Sequence, residues 1–125
     1  MNMPTILHIN NNFEVINSAR NALQHAGYKV VEAYTGYSGL EAIKDVRPDA
    51  VLIEMDVTDM DGLQFIQALR ANADTAVIPV LALTPRAQSI NRLMAMQTVG
   101  IDDMLTKPFT PQELVEGVRK AIQGR

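Results

Sequence analysis

The sequence predicts a doubly wound, three-layer α/β domain, and three observations carry that expectation. Five short runs rich in Val, Ile and Leu recur along the chain, apolar continuously rather than in alternation, as expected of strands buried on both faces of a parallel sheet. Segments with apolar residues at helical spacing separate them, each bounded by a capping or breaking residue. No linker, repeat or low-complexity stretch interrupts the 125 residues, so residues 1–125 are expected to form one domain. Right-handed crossovers then place helices on both faces of the sheet.

The first strand is Ile6–Ile9. The helix after it covers Phe13–His25, with Phe13, Ile16, Ala19 and Leu23 on one stripe and Gly27 as its stop. Val30–Ala33 is the second strand. Leu40, Ile43 and Val46 stripe the second helix, which ends near Arg47 because Pro48 disfavours helical backbone in the residue before it. Ala50–Ile53 is the third strand. Asp61 caps the third helix, which faces inward through Leu63, Ile66 and Leu69 or through Leu63, Phe65 and Leu69. Ile78–Leu83 is the fourth strand, and Ile90, Leu93, Met94 and Gln97 mark a fourth helix closed by Gly100. Met104–Leu105 is the fifth strand. Thr110-Pro111-Gln112-Glu113 reads as a capping box with proline at the first helical position, opening a fifth helix with Leu114, Val118, Ala121 and Ile122 on its apolar face.

Composition excludes several function classes. Hydrophobic residues at 47% and charged residues at 20% describe a packed globule. A net charge of −3 with no basic run argues against a nucleic-acid groove. The absence of cysteine removes disulfides, thiolate zinc sites and thiol nucleophiles. The longest apolar stretch, Ala76 to Leu83, contains a proline and is far too short to span a bilayer. The opening MNMPTILHINNNF lacks a basic region followed by a long apolar core, so no secretory leader is visible and a cytoplasmic setting is expected. His8 and His25 are too distant in sequence to suggest a histidine metal site, and His8, inside a strand, reads as a core histidine.

In an open parallel sheet, ligands bind beyond the carboxyl ends of the strands. There the sequence places Asn10-Asn11-Asn12, Glu54-Met55-Asp56, Thr84-Pro85-Arg86 and Thr106-Lys107-Pro108. A carboxylate, a hydroxyl, an ammonium and amides therefore converge on one rim. The first turn lacks the glycines that a dinucleotide or triphosphate needs. Aromatics at 5% and no tryptophan leave little to sandwich a flavin. With no nucleophile–base pair or metal cluster, neither an enzyme nor a cofactor is expected.

Four segments at their spacing, ILHINNN, PDAVLIEMDVTDMDG, IPVLALT and GIDDMLTKPFTPQEL, resemble the receiver domain of two-component response regulators, from about Ile6 to Ile122. The resemblance implies a flavodoxin-like sheet of order 2-1-3-4-5 and a role in phosphorelay signalling. It also implies that Asn10 and Asn11 stand where receivers carry a magnesium-binding acidic pair, and Glu54 where they carry the phosphoacceptor aspartate. Thr84 and Lys107 keep the family's switch hydroxyl and lysine, whereas Met104 replaces its switch aromatic, Thr58 a proline and Pro85 a small residue. Receivers reach this lysine through a cis bond, so Lys107–Pro108 is expected to be cis.

Two amides in place of carboxylates remove about two negative charges from a magnesium shell. Glu54 is one methylene too long for in-line attack. The chain is therefore expected to be a degenerate receiver, or pseudo-receiver, with no resident metal. Its output would be protein contact independent of phosphorylation, since no DNA-binding segment follows Arg125 in this chain. Glu54 has two readings, a built-in mimic of the phosphorylated state and a plain ion pair with Lys107. Asn10 to Asn12 read as turn and cap residues, Asp56 and Arg86 as facing charges, and Asp102-Asp103 as a solvated turn. In receivers the fourth helix, fifth strand and fifth helix contact partners or a second copy. An apolar patch is expected there, with Met104 and at least one of Leu93 and Met96, joined by pathway proteins and open to homodimerisation. The alternative function is sensing of a small ligand or anion at the modified rim.

Overall fold

The computed structural model describes residues 3–56, 59–84 and 100–124. In chain order these hold β1 (Thr5–Ile9), α1 (Phe13–His25), β2 (Lys29–Ala33), α2 (Gly36–Val46), β3 (Ala50–Glu54), α3 (Gly62–Ala71), β4 (Val80–Thr84), β5 (Asp103–Thr106) and α4 (Pro111–Gln123). The strands form one sheet of order β2-β1-β3-β4-β5, and every neighbouring pair is parallel. Four helices lie among the described residues where the sequence predicts five. The predicted helix through Ile90, Leu93, Met94 and Gln97 lies outside the described residues.

Alternate residues of each strand point to opposite faces, and both faces are covered. Leu7, Ile9, Val51, Ile53, Val80 and Ala82 pack against Ile43 of α2 and Phe65, Ile66 and Leu69 of α3. Ile6, Ala50, Leu52, Leu81 and Leu83 pack against Ala19 and Leu23 of α1 and Leu114 and Val118 of α4. This two-sided burial is why the central strands read as unbroken apolar runs.

The caps follow their residues. Asn12, Thr35, Asp61 and Thr110 cap the four helices through side-chain oxygens, with reciprocal capping boxes at Thr35–Ser38 and Thr110–Glu113. Gly27 closes the α1 turn at φ +97, a conformation that L side chains rarely adopt.

Several boundaries and burials differ from expectation. β3 and β4 run on to Glu54 and Thr84, so these rim residues close their strands instead of following them. β4 begins at Val80, after Pro79, and not at Ile78. Phe13, placed on the inward stripe of α1, is 64% exposed; it is the helix's first residue, and its ring meets Tyr34 edge-on at 5.4 Å. Phe65 and Ile66 of α3 are both buried, so its two alternative faces merge into one wide stripe. Asp102-Asp103 is not a free solvated turn. Asp103 opens β5, and the Asp102 carboxylate accepts the Val80 N–H at 2.7 Å and pairs with Arg70 at 3.3 Å.

Candidate functional site

Parallel pairing brings the ends of β1, β3, β4 and β5 to one edge, with Ile9 beside Ile53, Glu54 beside Leu83 and Thr84 beside Thr106. Asn10 and Lys107 are the first residues past β1 and β5. Asn10, Glu54 and Thr84 are buried, and the Lys107 side chain keeps 34% of its surface open. The Lys107–Pro108 bond is cis.

Glu54 and Lys107 come together as an ion pair, Oε1 to Nζ. The second carboxylate oxygen of Glu54 accepts the Asp56 N–H at 3.3 Å. Partial burial lowers the Lys107 pKa from its ordinary value, because desolvation disfavours the charged ammonium. β3 and β5 are not neighbours; the pair crosses over the end of β4, where the Thr84 carbonyl accepts the Lys107 N–H at 3.1 Å.

The asparagines divide their work. The Asn10 side-chain oxygen accepts the Asn12 N–H at 2.9 Å, and its amide nitrogen lies 3.3 Å from Nε2 of His8. That amide donates, so the His8 Nε2 accepts and the ring proton sits on Nδ1. His8 is wholly buried, and desolvation pushes its pKa down to about 4, with Glu32 raising it and Arg20 lowering it less strongly. Asn12 accepts from the Glu14 and Val15 N–H groups, and Asn11 is exposed.

Sequence reasoning missed what the loop after β3 does. Asp59 accepts the Gly36 N–H at 2.7 Å and the Tyr37 N–H at 2.9 Å, tying this loop to the start of α2. Burial works against the Asp59 carboxylate, but those N–H donors prevail and hold its pKa below the ordinary range. A contact over 22 and 23 residues leaves no local signal. The same loop folds back so closely that a Cβ on Gly62 would stand 2.8–2.9 Å from Met55, which only glycine tolerates.

Other expectations fall elsewhere. Thr58, Pro85, Arg86, Leu93 and Met96 lie outside the described residues, and so does the expected Asp56–Arg86 encounter. Met104 is half-buried and packs against the core beneath α2 and α3. β5 is an edge strand whose inward residues still reach that core.

Magnesium asks for several hard, preferably charged oxygens, and these donors do not fit it. Asn10 is neutral and its oxygen is taken by Asn12, while both Glu54 oxygens are engaged within the chain. Among the described residues no three His, Asp or Glu side chains are grouped to hold an ion.

Comparison with known proteins bears on the family of the whole domain. The family model described as response regulator receiver domain matches residues 6–119. The phosphate regulon transcriptional regulatory protein PhoB of Klebsiella pneumoniae is 36% identical over 101 residues, covering 81% of this chain and 44% of that protein. The DNA-binding dual master transcriptional regulator RpaA of Synechocystis sp. is 33% identical over 121 residues, covering 97% of this chain and 50% of that one. The chain thus spans about half the length of these relatives. The structure of the chemotaxis response regulator CheY4 of Vibrio cholerae superposes with a TM-score of 0.89 at 25% identity, covering 96% of this chain and 99% of that one.

Proposed function

Because the chain belongs to the response regulator receiver domain family, we propose that it is a receiver of two-component signalling that works by protein contact without accepting a phosphoryl group. The observation that carries this is the engagement of Glu54. Its carboxylate stands at the family's acceptor position, already bound to Lys107 and to the Asp56 N–H. An acceptor needs a free carboxylate oxygen aligned for attack and a cation to neutralise the developing charge. The tied amide of Asn10 supports the absence of the second requirement.

Asn10, Asn11 and Glu54 are then relics of a phosphorylation site, and Thr84 and Lys107 are its retained switch pair. Output is contact with protein partners of the pathway, or with a second copy, through the face built from β5 and α4. No catalytic turnover is assigned to the chain. The alternative, a small anion held at the rim, is weaker because Lys107 already has a carboxylate partner.

Incubation with a small phosphodonor and magnesium, followed by intact mass measurement, tests this reading. No mass gain is expected for the chain or for Glu54→Asp alone. The triple change Asn10→Asp, Asn11→Asp and Glu54→Asp is the variant in which acceptance should reappear. A stoichiometric, magnesium-dependent gain of one phosphoryl group on the unaltered chain would refute the proposal.

A further inference from the structure

A half-open groove of about 570 Å³ runs between α2 and α3, reaching the edge of the sheet opposite the Glu54–Lys107 rim. Its volume falls within the range of small-molecule sites. The floor is apolar: Ile43, Leu69 and Ile78 are at most 9% exposed, and Leu40 is half-buried beside them.

Four charged side chains line the groove, and they are not equivalent. Lys44 and Glu41 lie on α2 and pair with each other at 3.3 Å. Arg47 stands at the end of α2, and Asp74 on the opposite wall, in the loop after α3. Among the described residues neither Arg47 nor Asp74 belongs to an ion pair, with each other or with any third group.

Both charges sit on backbone that is held in place. Arg47 adopts the left-handed conformation at φ 50, and its N–H is bonded to the Ile43 carbonyl. The Asp74 N–H is bonded to the Asn72 side chain at 2.9 Å, and the neighbouring Thr75 hydroxyl to the Leu69 carbonyl at 2.6 Å. Besides the Glu41–Lys44 pair, the groove therefore offers one cation on its α2 side, Arg47, and one anion on its α3 side, Asp74, over an apolar floor.

We propose that this groove binds a small zwitterion with an apolar body, of the α-amino-acid class. The carboxylate meets Arg47, the ammonium meets Asp74, and the side chain lies on the Ile43–Leu69–Ile78 floor. A simple carboxylate would leave Asp74 as a repulsive neighbour, and a simple amine would leave Arg47 so; only the zwitterion satisfies both. This site is independent of how Glu54 is read.

The test is amide-shift titration of the full chain with L-phenylalanine, and with 3-phenylpropanoate and phenethylamine, each of which lacks one charge. Saturable shifts are expected around residues 40–47 and 68–78, with each analogue bound about tenfold more weakly than the amino acid. Arg47→Gly suits the left-handed backbone, so the fold survives it. It should weaken L-phenylalanine and 3-phenylpropanoate and spare phenethylamine. Asp74→Asn should weaken L-phenylalanine and phenethylamine and spare 3-phenylpropanoate. Ala68→Trp, which fills the groove from α3, should abolish all three. Absence of saturable shifts in these residues up to the solubility limit would overturn the proposal. So would L-phenylalanine binding that is indifferent to both charge changes.

Discussion

At the scale of single residues, His8 is the group whose environment has a measurable consequence. Its pKa falls from 6.5 to about 4 on folding, first because burial penalises the imidazolium. The unfolded chain therefore binds a proton more readily than the folded one between these values. Stability is complete above pH 6.5 and declines as pH falls toward 4, by at most about 3 kcal/mol from this one residue. Denaturant unfolding at pH 7 and pH 4.5 should show that decline, and His8→Leu should flatten it; an unchanged slope in the variant would assign the decline to carboxylates instead. The burial of His8 was legible from its place in an apolar strand. Its pairing with Asn10 was legible in principle, since residues two apart on a strand share a face. The Asp59 bonds to α2 were not, because their partners lie 23 and 22 residues away in the chain.

At the scale of elements, the central strands and the capped helices were readable because their signals are local. Two-sided burial writes continuous apolarity into β1, β3 and β4, and cap residues carry their own chemistry. β5 was read as two residues where four exist, since an edge strand half open to solvent needs no unbroken apolar run. Its start is fixed by something the pattern does not contain. Arg70 of α3 donates to the carbonyls of Ala76, Ile78 and Gly100 and pairs with Asp102, which in turn holds the Val80 N–H. One guanidinium thus fastens the approach to β4 to the approach to β5. Arg70→Leu keeps the apolar stem but strands these acceptors, and should cost about 2–3 kcal/mol in equilibrium unfolding. Amide exchange at Val80 and Asp102 should accelerate more than at Leu7 in β1; equal acceleration would mean a global loss and no local fastening.

At the scale of the whole molecule, the strand order came only from the family resemblance, because local patterns do not say which parallel strand lies beside which. The order determines what the Glu54–Lys107 pair does: it joins β3 to β5 across the end of β4. Glu54 is almost fully buried, whereas Lys107 keeps about a third of its side chain in water, so removing one partner should cost less than the roughly 3–5 kcal/mol of a fully buried pair. Lys107→Met should be more harmful than Glu54→Gln, since it leaves a buried carboxylate with one weak N–H partner, whereas Glu54→Gln leaves a lysine that can turn to solvent. The double variant should be less harmful than the two single effects added together, with a coupling of about 1–3 kcal/mol. The same variants separate the two readings of Glu54. If the pair only braces the sheet, self-association or capture of a pathway partner should weaken in proportion to lost stability and recover in the double variant. If Glu54 mimics a phosphorylated state, Glu54→Gln should weaken that contact under conditions where the domain is still fully folded, and the double variant should not restore it.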